Sequence, residues 1–141
     1  MNIWFKSELE KFLLEDQDII IDWLYRIADE EGKKVGEIGY IFVGKERILS
    51  INNEFLGHNY YTDIITFDNS YLSLLEGEIF ICIPIVRENS LTNSEGNFEL
   101  ELFRVVVHGL LHLIGYKDKS LKEQALMRRT EDQYLSYLFN N

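Results

Sequence analysis

The chain has 141 residues, of which 46% are hydrophobic and 13% aromatic, a composition typical of a folded domain and not of a disordered tail. Its 14 lysines and arginines stand against 24 aspartates and glutamates, and the formal net charge of −10 argues against a general nucleic-acid-binding protein. No apolar run approaches the roughly 20 residues of a membrane span, the first residues do not resemble a secretory signal, and Cys82 has no second cysteine to pair with. We therefore expect one domain, residues 1–141, located in the cytoplasm and away from membranes.

The spacing of apolar residues predicts helices and strands that do not alternate strictly along the chain. Strand-like patterns occur over residues 2–5, 37–43, 63–67 and 77–83. Helical spacing occurs over residues 18–32, 46–57, 98–115 and 120–139. Residues 89–97 are rich in asparagine, serine and glycine and are predicted as a turn, with Asn97 as the N-cap of the next helix. This order predicts an α+β fold: a small mixed, mostly antiparallel sheet of about four strands with helices packed against it.

The predicted helix 98–115 is apolar nearly all the way round between residues 102 and 114, so we expect it to be buried. Its polar residues fall in one stripe and are Glu101, Arg104, His108 and His112. Because a step of four residues turns a helix by about 400°, the two imidazoles point the same way with a rise of about 6 Å. Histidines at this spacing are able to bind one metal ion. The alternative is that each histidine is a core residue held by a hydrogen bond.

Gly115 follows this helix and is able to adopt the left-handed conformation that ends helices. The chain would then turn back toward the histidines, and the carboxylate of Asp118 is an acceptable zinc ligand. The alternative is an exposed turn aspartate between Lys117 and Lys119. Two histidines and one carboxylate leave a zinc ion a position for an activated water, as in catalytic sites. We therefore predict a catalytic site for zinc, or for another divalent metal, formed by His108, His112 and Asp118.

The residue after the first histidine argues against one class of zinc hydrolase. Metalloproteases of the helical type read HExxH and use the glutamate as general base. This chain reads HGLLH, and Gly109 has no side chain with which to move a proton. Glycine inside a helix costs about 1 kcal/mol relative to alanine, so we expect a close packing contact at Gly109. The sequence identifies no general base; Asp63 is a candidate for ordering the site, and the capping of a helix or turn is its alternative role.

The stretch HGLLHLIGYKD (108–118) closely resembles the HGxLHLxGYDH signature of the YbeY family of metal-dependent endoribonucleases. Two further stretches are similar to that family, INNEFLGHNYYTDIITF (51–67) and GEIFICI (77–83). The residues that match in order are Asn52, Thr62, Asp63, Phe67, Gly77, His108, Gly109, His112, Gly115 and Tyr116. The resemblance is specific from residue 51 to 118 and concerns only the general layout elsewhere.

This resemblance implies a small α+β fold in which a helix presents His108 and His112 to a zinc ion. It also implies action on single-stranded RNA, in the 3′-end maturation of a small-subunit ribosomal RNA precursor and in ribosome quality control. Ribosomal or ribosome-associated proteins are the partners that it implies. The alternative from a different class is a non-enzymatic ribosome-assembly factor, in which the metal holds the turn after Gly115 in place.

Two places in the sequence depart from the family pattern. The family's third ligand is a histidine, whereas Asp118 adds negative charge and a harder oxygen donor. The family tends to carry arginine and lysine in the segment where this chain has Leu56 and His58, and a leucine cannot clamp a phosphate as arginine does. His58 either carries a proton or a charge in the reaction, or is a loop histidine that faces solvent.

Local basic residues have to offset the acidic charge if this chain binds RNA. Those near the motif are Arg104, Lys117, Lys119, Arg128 and Arg129. Arg104 contacts either a phosphate or Glu101, which lies three residues before it on the same helix. We predict weak RNA binding that becomes weaker with added salt, so delivery by a ribosomal partner would relieve the need for a basic surface.

Overall fold

A computed structural model describes residues 2–139. In chain order its elements are β1 (Asn2–Ser7), α1 (Gln17–Glu30), β2 (Lys34–Val43), α2 (Lys45–Leu56), β3 (Ile64–Asp68), β4 (Leu74–Cys82), α3 (Ile83–Asn93), α4 (Phe98–Ile114) and α5 (Leu121–Leu135). Each predicted helix and strand has a counterpart, and the largest difference in length is at the last helix, which ends at Leu135. Among the helices of residues 2–139, none is both long enough and apolar enough to cross a bilayer.

The four strands form one sheet in the order β1-β2-β4-β3. The pairs β1–β2 and β2–β4 are parallel, and the pair β3–β4 is antiparallel. The prediction of an α+β fold with a mixed sheet is confirmed, but the prediction that the sheet is mostly antiparallel is wrong. Helix α1 connects β1 to β2 and returns the chain, so β2 runs in the same direction as β1. After β2 the chain passes through α2 into β3, which runs opposite to β2, and it reverses again before β4, so β4 is parallel to β2. A short turn joins β3 to β4, so that pair runs antiparallel.

Helix α3 occupies a segment that the sequence analysis assigned in part to a turn. The predicted turn 89–97 is wrong over residues 89–93, where α3 continues to Asn93. Pro84 lies in the first turn of α3, where its missing N–H removes no helical hydrogen bond. Residues 94–97 do form a turn, and the side chain of Asn97 caps α4 by accepting a hydrogen bond from the N–H of Leu100 at 3.0 Å. The predicted N-cap is therefore confirmed.

Helix α4 packs against the sheet and is buried along most of its length, as its apolar sequence predicted. Val106 and Leu110, one turn apart on the helix, are fully buried. Gly109 lies so close to β4 that an added Cβ atom would be 2.9 Å from Cγ2 of Ile79. This approach is the packing contact expected at Gly109. It holds α4, and with it the histidines, at a fixed distance from the sheet.

Candidate metal centre

The side chains of His108, His112 and Asp118 converge near the C-terminal end of α4. The Nε2 atoms of the two histidines are 2.9 Å apart. Oδ2 of Asp118 lies 3.2 Å from Nε2 of His108 and 3.3 Å from Nε2 of His112. One ligand atom from each residue lies within 4.8 Å of the other two, and all three residues are half-buried. The structure therefore brings the three predicted ligands together in an arrangement that is able to hold a metal ion.

Asp118 reaches the histidines because the chain reverses direction after α4. Gly115 has a φ of 125°, which a residue with a side chain rarely adopts. Its N–H and that of Tyr116 donate hydrogen bonds to the last carbonyl groups of α4. Ser120 then begins α5 with a capping box in which Glu123 takes part. Both ends of the short connection are thus fixed, and they hold Asp118 beside α4.

Each histidine ring contacts an oxygen atom on the side that faces away from the other ring. Nδ1 of His108 lies 2.7 Å from Oε2 of Glu131, and Nδ1 of His112 lies 3.1 Å from the carbonyl oxygen of Tyr116. Because a carboxylate and a carbonyl oxygen can only accept hydrogen bonds, the Nδ1 atoms carry the protons in the neutral rings. The unprotonated Nε2 atoms then face each other. Such outer contacts orient the histidine ligands of metal sites and increase their basicity.

This set of donor atoms fits a divalent cation. The two Nε2 atoms and the Asp118 oxygen each offer a lone pair, and they lie between 2.9 and 3.3 Å apart, so they repel one another unless a cation lies among them. Two imidazoles and a carboxylate are also a ligand set that zinc accepts. A proton is the competing cation. Burial by itself would lower the pKa of His108, but its contacts with the carboxylates of Glu131 and Asp118 raise that pKa above its ordinary value.

Glu131 on α5 links His108 to Arg104. The Glu131 side chain is 5% exposed, and its Oε1 accepts a hydrogen bond from the Arg104 guanidinium at 2.9 Å while Oε2 contacts His108. Arg104 also donates to Oδ1 of Asp132 at 2.7 Å. The guanidinium charge thereby offsets the charge of a buried carboxylate. Its Nη1 and Nη2 are engaged with these carboxylates, and its Nε is buried without a hydrogen-bond partner among the described residues. The phosphate contact considered from the sequence stays a prediction.

The alternative pairing of Arg104 with Glu101 is wrong, because Arg104 pairs with Glu131 and Asp132. Glu101 is buried and accepts a hydrogen bond from Oγ of Ser94 at 2.7 Å. The polar stripe itself is present, because Glu101, Arg104 and His108 line the same cleft. With His112, the stripe thus supplies two candidate metal ligands, a cation that pairs with carboxylates of α5 and a carboxylate that accepts a hydrogen bond from Ser94, in the turn before α4.

Glu131 is the site residue that the sequence analysis missed. It lies four residues after Met127 and three before Tyr134, on the face of α5 that packs into the core. A carboxylate at a core position of an amphipathic helix needs a buried partner. The core position of Glu131 on an amphipathic helix was therefore the feature of the sequence from which its role could have been predicted.

Two clefts share residues of this cluster. The arginine cleft has a volume of about 370 Å³ and is lined in part by Glu101, Arg104, Gln124 and Arg128. The aromatic cleft has a volume of about 600 Å³ and is lined in part by Leu56, His58, Tyr60, His112 and Lys119. Both are lined by Asp63, His108 and Asp118. The cluster therefore lies where the two clefts meet, and both clefts give a bound molecule access to it.

Asp63 precedes β3 and is half-buried between the two clefts. Burial raises the pKa of its carboxyl group, although the nearby His108 and backbone N–H groups act in the opposite direction. The Asp63 carbonyl oxygen accepts a hydrogen bond from the N–H of Cys82 at 2.8 Å, which ties the start of β3 to the end of β4. The structure thus places this predicted site residue beside the cluster.

Leu56 ends α2, and His58 lies in the loop that leads from α2 to β3; these are two of the positions that differ from the family pattern. Leu56 is 45% exposed and lines the aromatic cleft. His58 is exposed, as the simpler interpretation predicted, and its ring stacks on that of Tyr60. No arginine takes the place of Leu56 among the residues that line this cleft, within the described chain.

Comparisons with known proteins agree with this fold. A model of the family described as endoribonuclease YbeY matches residues 3–138. A protein named endoribonuclease YbeY from Cytophaga hutchinsonii is 46% identical over 95% of this chain and 94% of its own length. The protein of that name from Karelsulcia muelleri is 42% identical over 91% of this chain and 90% of its own length. The solution structure of a Thermotoga maritima protein, 28% identical, matches with a TM-score of 0.68 over 96% of this chain and 87% of that one.

Proposed function

Since this chain belongs to the endoribonuclease YbeY family, we propose that it is a metal-dependent endoribonuclease that hydrolyses phosphodiester bonds of single-stranded RNA. The observation that supports this most is the convergence of two imidazoles and one carboxylate at the meeting point of two clefts. A single RNA strand that lies along both clefts would bring one of its phosphates to the three side chains.

We assign the metal to His108, His112 and Asp118, and zinc is the ion that this ligand set suits, with another divalent metal as the alternative. A bound metal ion would act as a Lewis acid toward a phosphate oxygen and lower the pKa of a bound water. Asp118 adds a negative charge where the family pattern has a neutral histidine. This charge favours binding of a dication and shifts the preference toward harder metals.

Other side chains of the clefts have roles that follow from their positions. Gln124 and Arg128 in the arginine cleft and Lys119 in the aromatic cleft offer hydrogen bonds to the neighbouring phosphates of the strand. Asp63 lines both clefts, so its carboxylate is placed to accept a proton from the attacking water. We assign it that role, which the sequence alone left open.

The substrate we assign is the precursor of small-subunit ribosomal RNA, with ribosomal or ribosome-associated proteins as partners and the cytoplasm as location. The net charge of −10 supports delivery by a partner, because it opposes a direct encounter with RNA. The alternative of a non-enzymatic assembly factor is not favoured, since the relatives that match along nearly the whole chain are named endoribonucleases.

Metal content and RNA cleavage, measured on the same preparations, test this proposal. We expect about one metal ion per chain, cleavage of a single-stranded RNA oligonucleotide, and loss of cleavage when a chelator removes the metal. His112→Ala and Asp118→Asn should lose both metal and cleavage. Asp29→Asn, which changes an exposed aspartate on α1, should keep both. Metal-replete protein that cleaves no RNA with any of several divalent metals would contradict the proposal and favour the assembly factor.

A further inference from the structure

The loop between α2 and β3 presents a pair of stacked, exposed rings to the aromatic cleft. The ring centroids of His58 and Tyr60 are 5.1 Å apart, and the ring planes differ by 16°. The Tyr60 hydroxyl lies 3.0 Å from Nδ1 of His58. Tyr60 is 55% exposed, so its ring contributes little to the core. The same cleft is lined by His112 and Asp118, which places the ring pair and the metal ligands on one continuous surface.

A buried side chain of α2 holds this loop in position. Asn52 is 2% exposed, and its Nδ2 donates a hydrogen bond to the carbonyl oxygen of Tyr60 at 2.8 Å. The N–H of His58 donates to the carbonyl oxygen of Asn52 at 3.1 Å, and Gly57 provides the turn out of α2 with a φ of 67°. These contacts hold the backbone that carries both rings. A ligand that stacks on the pair would therefore lose little affinity to ordering of the loop.

The charges in the aromatic cleft favour a planar, uncharged ligand over a phosphate. Lys119 stands there against the carboxylates of Asp63, Asp68 and Asp118. Attraction of phosphates on this side of the cluster is thus limited to the single contact that Lys119 offers, whereas an aromatic side chain stacks on any nucleobase because every base has a π face. The stacking is also independent of the net charge of the protein.

We propose that His58 and Tyr60 form a stacking platform for one unpaired base of an RNA strand whose phosphate lies at His108, His112 and Asp118. This inference rests on the proposed function and adds to it a subsite that selects single-stranded RNA. A base inside a duplex is stacked on its neighbours, so it cannot offer its face to the platform.

RNA oligonucleotides that carry a fluorescent adenine analogue at one position at a time test the platform. After rapid mixing with metal-loaded protein, and before cleavage, we expect the fluorescence to be quenched at one or two adjacent positions. Tyr60→Ala should lose this quenching and bind the RNA about tenfold more weakly, while Tyr60→Phe should keep the quenching. Tyr71→Ala is the control, because Tyr71 is 73% exposed and lies outside both clefts.

Tyr60→Ala loses the contacts of the Tyr60 ring with His58 but keeps the hydrogen bond from Asn52 to the Tyr60 backbone, so its metal content and thermal unfolding should equal those of the unchanged protein. An abasic nucleotide at the quenched position should weaken binding to the unchanged protein and have no effect on Tyr60→Ala. If Tyr60→Ala shows the same quenching and RNA affinity as the unchanged protein, the platform is overturned, and the exposed rings would instead contact a partner protein. Cleavage of RNA by the unchanged protein would still support the proposed function. Quenching without cleavage would overturn the proposed function and retain the platform.

Discussion

Glu131 orients His108 from outside the candidate metal centre, so its replacement tests how far metal affinity depends on a residue that is no ligand. In Glu131→Gln the charge is lost, and an NH2 group replaces one of the two carboxylate oxygens, so a donor then faces either His108 or Arg104, which both need an acceptor there. We expect zinc affinity to fall about 10- to 100-fold, measured by competition with a chromophoric chelator. Asp132→Asn is the matched control, because Asp132 contacts Arg104 on its other side. Equal losses in both variants would contradict a specific role of Glu131.

The carboxylates around His108 also set the pH at which its ring loses a proton. Burial lowers the pKa of His108, but Glu131 and Asp118 raise it by more, so this pKa lies above its usual value. Because a metal binds the neutral ring, zinc affinity should fall as the pH falls through this raised pKa. Zinc titrations at a series of pH values check this, and Glu131→Gln should move the transition to lower pH. A zinc affinity that does not change over this range would contradict the assignment of His108 as a ligand.

The stability of the metal-free protein should depend on pH in the opposite sense. The pKa of His108 is raised in the folded state, so its protonation stabilises that state fully below the pKa of the unfolded chain. This stabilisation is lost as the pH rises through the folded-state pKa. Urea unfolding of chelator-treated protein, followed across these pH values, should show the free energy of unfolding decrease with rising pH, and an increase attributable to His108 would contradict the folded-state contacts.

Residues of the centre differ in how directly the sequence revealed them. His108 and His112 were predictable because their common direction follows from the spacing within one helix. Asp118 was predictable because Gly115 marks the point where that helix ends. Glu131 lies 23 residues from His108 on another helix, so their contact depends on how α5 packs against α4. Local spacing does not contain that information.

At the scale of elements, Gly109 sets the distance between α4 and the sheet. A Cβ atom at this position would lie 2.9 and 3.0 Å from Cγ2 and Cδ1 of Ile79, and 3.2 Å from Cδ1 of Ile64. Gly109→Ala must therefore displace the helix or these side chains at a cost of about 1–3 kcal/mol, of which the better helix propensity of alanine offsets about 1 kcal/mol. We expect a lower free energy of unfolding in urea.

A double-mutant cycle separates this packing effect from helix propensity. Ile79→Val removes the Cδ1 atom, so Gly109→Ala should cost less in that background than in the unchanged protein. Helix propensity would be the same in both backgrounds. Equal costs would mean that the contact with Cδ1 of Ile79 does not determine the position of α4.

The sequence revealed the elements better than their arrangement. Periodicity is a local property, and it predicted β1, β2, β3 and β4 within a few residues. Strand order and direction depend on which distant segments pair, so the two parallel pairs were not predicted. Helix α3 was missed because its polar C-terminal half resembles a turn. The buried residues Ile83, Val86 and Ser90 do follow helical spacing, and packing against α4 extends the helix through that half.

At the scale of the whole molecule, the family resemblance carried by residues 51–118 is confirmed by a family model that matches residues 3–138. That motif outweighed the composition, which argued against a nucleic-acid partner. Net charge describes the average surface and does not show where Arg128 and Lys119 line the clefts. The identity of the metal and the single-domain organisation of residues 1–141 stay predictions.

Because the protein is acidic, we expect only a few basic side chains to contact the phosphates of a bound RNA. The dependence of RNA affinity on salt concentration measures the number of these contacts. Each phosphate contact on a single strand contributes about −0.7 to the slope of log K against log salt. Arg104 is paired with Glu131 and Asp132, which leaves Arg128 and Lys119 as the basic residues of the clefts. We therefore expect weak binding with a slope of about −1 to −2, measured by fluorescence anisotropy over a range of salt concentrations.

Replacing one of these cations should change the slope by one contact. Lys119→Ala should make it shallower by about 0.7, because one phosphate contact is lost. Lys34→Ala is the control, since Lys34 is an exposed lysine at the start of β2 that lines neither cleft. A much steeper slope in the unchanged protein would place the RNA on basic residues outside the clefts. An affinity independent of salt would exclude phosphate contacts by Arg128 and Lys119, so the bound strand would be held by stacking and the metal centre alone.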